Sequence, residues 1–177
     1  MTPRIAALLA GLALALSAAP AWAHDLAFAA TLRGDKAPTL TGSKATGTAR
    51  IVVHTHTQTV DIAMDVAGLT VDDLSRNLRP SPMGPIHLHI YGGTDHSPAA
   101  DAALVFPVPF GPAYAPSPGG FAVRMTGMDY AKGAALVNTQ TGFKDFVAAL
   151  STGKVVLNVH TNRFGDGEIS GDVTPAG

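Results

Sequence analysis

The chain has 177 residues, 46% of them hydrophobic and 14% charged, with a net charge of −1 and no cysteine. That composition excludes disulfide stapling. With no run of Lys or Arg, it offers no footing for nucleic acid or for an anionic membrane surface. It leaves enough chain for one domain to bury a core of its own.

Residues 1–23 read as a leader rather than as part of the fold. Arg4 supplies an early positive charge, Ile5 to Leu16 is apolar, and Ala21-Trp22-Ala23 is a small-residue cleavage site. The apolar stretch falls short of the roughly 20 residues of a membrane span. The expectation is a signal peptide over 1–23 of bacterial type. A mature chain then starts at His24, is periplasmic or secreted, and has no membrane span after cleavage. Without cysteine there is no lipoprotein anchor, and losing Arg4 with the leader takes the net charge to −2.

From there the chain reads as one all-β domain, 24–177. Leu26 to Leu32 is a first strand, closed by Arg33-Gly34-Asp35. Thr46 to Val53 and Thr59 to Val66 form a hairpin around His54-Thr55-His56-Thr57-Gln58, with Val60, Ile62, Met64 and Val66 on one face. Thr70 caps a short helical turn through Asp72, Asp73 and Leu74. Ile86 to Tyr91 and Ala102 to Val108 are strands, and Pro107 to Gly120 is dense enough in proline and glycine to read as loop. Phe121 to Met128 is a strand. Thr141 to Leu150 is the one helix, with Phe143, Phe146, Val147 and Leu150 at helical spacing and Gly153 as its stop. Val155 to Thr161 and Glu168 to Val173 close the chain around the Phe164-Gly165-Asp166-Gly167 turn. Many short strands separated by turns imply a sandwich or barrel.

Two of these strands carry the chemistry. In Ile86-His87-Leu88-His89-Ile90 the apolar residues alternate with histidine, so His87 and His89 share one face, roughly 6–7 Å apart along the backbone. Val155 to Thr161 adds His160. Neutral imidazole suits copper and zinc, and a third ring from another strand completes a three-histidine set. In the competing reading the same rings hydrogen-bond neighbouring backbone and serve structure alone.

Four further histidines are weaker metal candidates. His54 and His56 have the same spacing but sit at a hairpin tip, where solvated turn histidines are the plainer reading. His96, beyond Gly92-Gly93, can offer a fourth ligand, although its loop position points to exposure. His24 becomes the terminal residue on cleavage, where amine and imidazole can chelate copper together. Met64, Met83, Met125 and Met128 are soft donors by chemistry, with core packing as their plainer role. Asp166-Gly167-Glu168 reads as a turn, with too few oxygen ligands for a good calcium site.

Phe28-Ala29-Ala30-Thr31-Leu32, Ala45-Thr46-Gly47-Thr48-Ala49, Ile86-His87-Leu88-His89, and Asn158-Val159-His160-Thr161 with Gly167-Glu168-Ile169-Ser170-Gly171 together resemble the CHRD (chordin) domain family. The resemblance spans essentially the whole mature chain. It implies an immunoglobulin-like, Greek-key β-sandwich in an exported protein, and most bacterial members have no assigned activity. The chain departs from the pattern at Ser170, where arginine is usual, at Asp35-Lys36-Ala37-Pro38, and in the proline-rich stretch after the histidine strand.

A fainter similarity is to copper/zinc superoxide dismutase, whose H-x-H strand and late V-H strand share a copper. His87, His89 and His160 match in order. The disulfide cysteines are missing, and no arginine follows Arg163 to guide an anion. No G-x-S-x-G elbow and no phosphate-cradling loop is present either. The expectation is therefore a non-enzymatic binding module, taking a copper or zinc ion through His87, His89 and His160, or an unknown protein partner. A dismutase-like metalloenzyme and a purely structural or interaction module are the alternatives.

Overall fold

The computed structural model describes residues 25–36, 38–97 and 100–177. Nine strands form one antiparallel sheet: β1 (Asp25–Arg33), β2 (Thr46–His54), β3 (Thr59–Ala67), β4 (Ile86–Tyr91), β5 (Ala102–Val108), β6 (Tyr114–Ser117), β7 (Gly120–Asp129), β8 (Val155–Val159) and β9 (Ile169–Pro175). Their order across the sheet is β5-β4-β8-β9-β1-β2-β3-β7-β6. The signal-peptide assignment and His24 lie outside the described residues.

The alternation read from the sequence is what builds the core. Val60, Ile62, Met64 and Val66 of β3 are all at most 4% exposed, while Ala63 and Asp65 between them face solvent. Phe28, Ala30 and Leu32 of β1, Ala49, Ile51 and Val53 of β2, and Leu88 and Leu157 of β4 and β8 join the same apolar cluster. A flat sheet of nine strands would bury two separate faces. One shared core means that this sheet curls until its halves face each other. The edges meet: the Tyr114 hydroxyl on β6 donates to the Val108 carbonyl of β5 at 2.6 Å.

Two short helices pack against the sheet, where the sequence predicts one. The foreseen one is α2 (Phe143–Ser151), burying Phe146, Ala149 and Leu150. The other, α1 (Tyr130–Leu136), is capped by Asp129, whose side chain accepts from the Lys132 N–H at 2.8 Å. α1 packs against both β5 and β7. Phe106 of β5, Tyr130 of α1 and Phe146 of α2 form a three-ring stack with centroids 4.9–5.8 Å apart. Gly133 makes that approach possible, because a Cβ there would lie 2.5 Å from the Phe106 ring. A glycine in mid-helix also masks α1 in the sequence, since it weakens the helical signal.

The stretch 107–120 is not all loop. Pro107 belongs to β5 and Pro116 to β6, the latter opposite Phe121 in a β6–β7 hairpin. Both strands are sheet edges, where a residue without an N–H costs no ladder hydrogen bond on its outer side. Thr70 caps its turn as expected, its N–H and hydroxyl both donating to Asp73 Oδ2 at 2.7 Å. No helix among the described residues is long and apolar enough to cross a membrane.

Candidate metal centre

Strand register brings the histidines together. β4 pairs with β8 so that His87 lies opposite Asn158 and His89 opposite Val156, which puts all four side chains on one face. His160 follows β8 directly and is held in line by its own N–H donating to the Pro85 carbonyl at 2.8 Å. On the other side of β4, the register with β5 shifts between Leu88 and His89, where Val105 of β5 is the extra residue, while the β4–β8 register that aligns the histidines runs without a break.

The result is a compact cluster. One nitrogen from each of His87, His89 and His160 lies within 4.8 Å of the others. The His87 and His160 rings stack at 4.4 Å between centroids, and His89 meets His87 edge-on at 4.9 Å. His87 is 3% and His160 7% exposed, while His89 is half-buried.

Two backbone carbonyls set the ring orientation. His87 Nδ1–H donates to the Gly84 carbonyl at 3.2 Å, and His160 Nδ1–H donates to the Gly165 carbonyl at 2.8 Å. Each bond fixes the tautomer and leaves Nε2 with its lone pair. His160 Nε2 and both nitrogens of His89 are buried with no hydrogen-bond partner among the described residues. Buried polar atoms are ordinarily paired, and one nitrogen from each ring, gathered this closely with no protein partner holding it, is an arrangement compatible with a bound metal ion. The donor set fits copper or zinc, both of which accept neutral imidazole.

Burial keeps these rings neutral. It pushes His87 down to about 3, helped by the neighbouring His160 and His89 rings and opposed by the carbonyls of Gly84 and Met83. It pushes His89 down to about 4, again with help from His160, and lowers His160 despite the opposing Gly165 carbonyl and Asp166 charge. At neutral pH all three therefore present lone pairs.

The other histidines are placed elsewhere. His54, at the end of β2, is held between Asp25 (Nδ1 to Oδ1, 2.9 Å) and Asp61 (Nε2 to Oδ2, 3.1 Å). Its hydrogen bonds to Asp61 and Asp25 raise its pKa above 6.5. A raised folded-state value means that the stabilisation is fully present below pH 6.5 and is lost as pH rises through the folded pKa. The His54 ring protons are accordingly expected to titrate above 6.5 by NMR, and Asp61→Asn is expected to move that midpoint downward; a midpoint unmoved by the variant would remove Asp61 as the cause. His56 is exposed at the hairpin turn. His96, expected in solvent, is 8% exposed: its ring packs on Tyr91 at 4.7 Å, and Nδ1 bonds Asp172 Oδ1 at 2.7 Å. That partner lies 76 residues away in the chain, beyond any local signal.

Met64 and Met125 are core residues, as expected. Glu168 lies just before β9 rather than in it and is buried, its two oxygens accepting from the hydroxyls of Ser43 and Thr161 at 2.7 Å each. This carboxylate pins the 41–43 segment to the end of β8. Sequence reading missed the Gly84 and Gly165 carbonyls, because an orienting backbone group leaves no residue-type signature.

No curated protein and no solved structure matches the chain. The family model for the CHRD domain matches residues 28–173, a span from the first core residue of β1 to the last of β9 that encloses all three clustered histidines. The chain belongs to the CHRD domain family.

Proposed function

We propose that this protein is an exported, non-enzymatic CHRD-domain module that binds one copper or zinc ion through His87, His89 and His160. The observation that carries the reading is the set of unpartnered, buried imidazole nitrogens on a single face, with the tautomers of two rings fixed by backbone carbonyls. Leaving such groups unpaired costs roughly 1–3 kcal/mol each, and a bound cation offsets that cost for one nitrogen of each ring. The leader-like residues 1–23 support export to the periplasm or beyond. The family resemblance supports reading the curled sheet as a Greek-key, immunoglobulin-like sandwich.

Titration of the protein from His24 onward with copper and zinc, beside His87→Ala/His89→Ala, tests this. Stoichiometric binding in the parent that is lost in the double variant is expected. Binding that survives the double variant, or no binding in either, contradicts the site. In the second case the histidines are structural, and a protein partner becomes the leading reading.

A further inference from the structure

We infer that the three-histidine cluster selects monovalent copper, Cu(I), over the divalent ions Zn(II) and Cu(II). This rests on the metal-site reading above and adds the oxidation state of the ion.

Charge decides the preference. All three donors are neutral, and the rings that are oriented from behind are oriented by carbonyls: Gly84 for His87 and Gly165 for His160. Metal-bound histidines are often backed by a carboxylate, which lends the site negative charge. Among the described residues the hydrogen-bond partners of these rings are carbonyls and no carboxylate. Asp166 is the one carboxylate among the described residues whose charge acts on any of the three rings, and it is exposed to solvent on a turn. Glu168 is engaged by the Ser43 and Thr161 hydroxyls, and Asp172 by His96.

A cation entering this cluster therefore keeps its full charge in a place where two of the three rings are buried and the third is half-buried. The cost of moving an ion out of water grows with the square of its charge, so a divalent ion carries about four times the penalty of a monovalent one. Zn(II) or Cu(II) would have to bring in an anion such as hydroxide to offset it. Cu(I) needs none, because three imidazoles satisfy its low coordination number and its preference for donors softer than oxygen.

The register supplies a way to change the charge without rebuilding the site. Asn158 is directly opposite His87, on the same face and 4% exposed, with its Oδ1 unpartnered. Asn158→Asp is close to isosteric and places a carboxylate beside the cluster.

The test uses the protein from His24 onward. Cu(I), kept reduced by ascorbate without oxygen, is titrated against a bathocuproine disulfonate competitor; Zn(II) and Cu(II) are titrated separately against chromophoric indicators. Cu(I) is expected to bind at least about 100-fold more tightly than either divalent ion. Against Cu(II) that ratio raises the couple by about 120 mV over free copper, at about 59 mV per tenfold. Asn158→Asp is expected to narrow the Cu(I)/Zn(II) ratio by about tenfold or more. Zinc bound as tightly as Cu(I), and lost in His89→Ala, overturns the selectivity while leaving the metal site standing. A ratio unmoved by Asn158→Asp overturns the role given to charge. No metal binding that depends on His89 overturns both this inference and the reading beneath it.

Discussion

Gly84→Ala is expected to destabilise the protein by about 3 kcal/mol or more and to weaken metal binding by roughly 10–100-fold. Gly84 sits at φ +68°, where an L side chain adds about 1–2 kcal/mol of strain by itself. The steric clash costs more, since a Cβ at this position would lie 2.1 Å from the Val108 carbonyl oxygen. Backbone must move, and that same oxygen accepts the Tyr114 hydroxyl where the two sheet edges meet. The Gly84 carbonyl in turn orients His87, so its displacement unsettles the ring that the metal needs. Urea unfolding and metal titration read the two effects. Gly92→Ala is the control, with nothing within 4 Å of the added methyl, and is expected to change neither. Near-parental stability in Gly84→Ala would contradict the way the sheet is described as closing.

His89→Leu is expected to do two opposite things. Metal affinity should fall by at least about 100-fold, the upper end of what is lost when only an orienting group is removed. The metal-free protein should become more stable, by about 1–3 kcal/mol, because both His89 nitrogens are buried without partners and leucine of similar size removes that penalty. The structural reading of the cluster gives the reverse sign, since a ring that holds strands together is missed when it is lost. Unfolding of the two metal-free proteins at neutral pH separates the readings. A less stable variant would mean that His89 makes contacts worth more than its two orphaned nitrogens cost.

What could be read in the sequence was whatever alternates. β3 announced its buried face at Val60, Ile62, Met64 and Val66, and β4 announced His87 and His89 as neighbours on the opposite face from Leu88. The joining of His160 to that pair followed from strand type, and the β4–β8 register brings it about. Features that depend on what sits across space were not legible. Pro107 and Pro116 argue for loop until their strands prove to be edges. Gly133 argues against a helix until Phe106 is seen against it. His96 reads as a loop residue until Asp172 arrives from β9, and the Gly84 and Gly165 carbonyls that orient His87 and His160 have no pattern in the chain at all. The number of strands in a single curled sheet was equally hidden, because each pairing in β3–β7, β4–β8 and β9–β1 joins segments far apart in sequence.

The central claim is that three imidazoles converge on one ion, and copper K-edge X-ray absorption of the copper-loaded protein tests it most directly. The expected result is a first shell of three nitrogen scatterers at about 2.0 Å, with the outer-ring scattering of three histidines, falling to two in His160→Ala. A shell dominated by oxygen or sulfur, or a spectrum unchanged by His160→Ala, would show that His87, His89 and His160 are not the site.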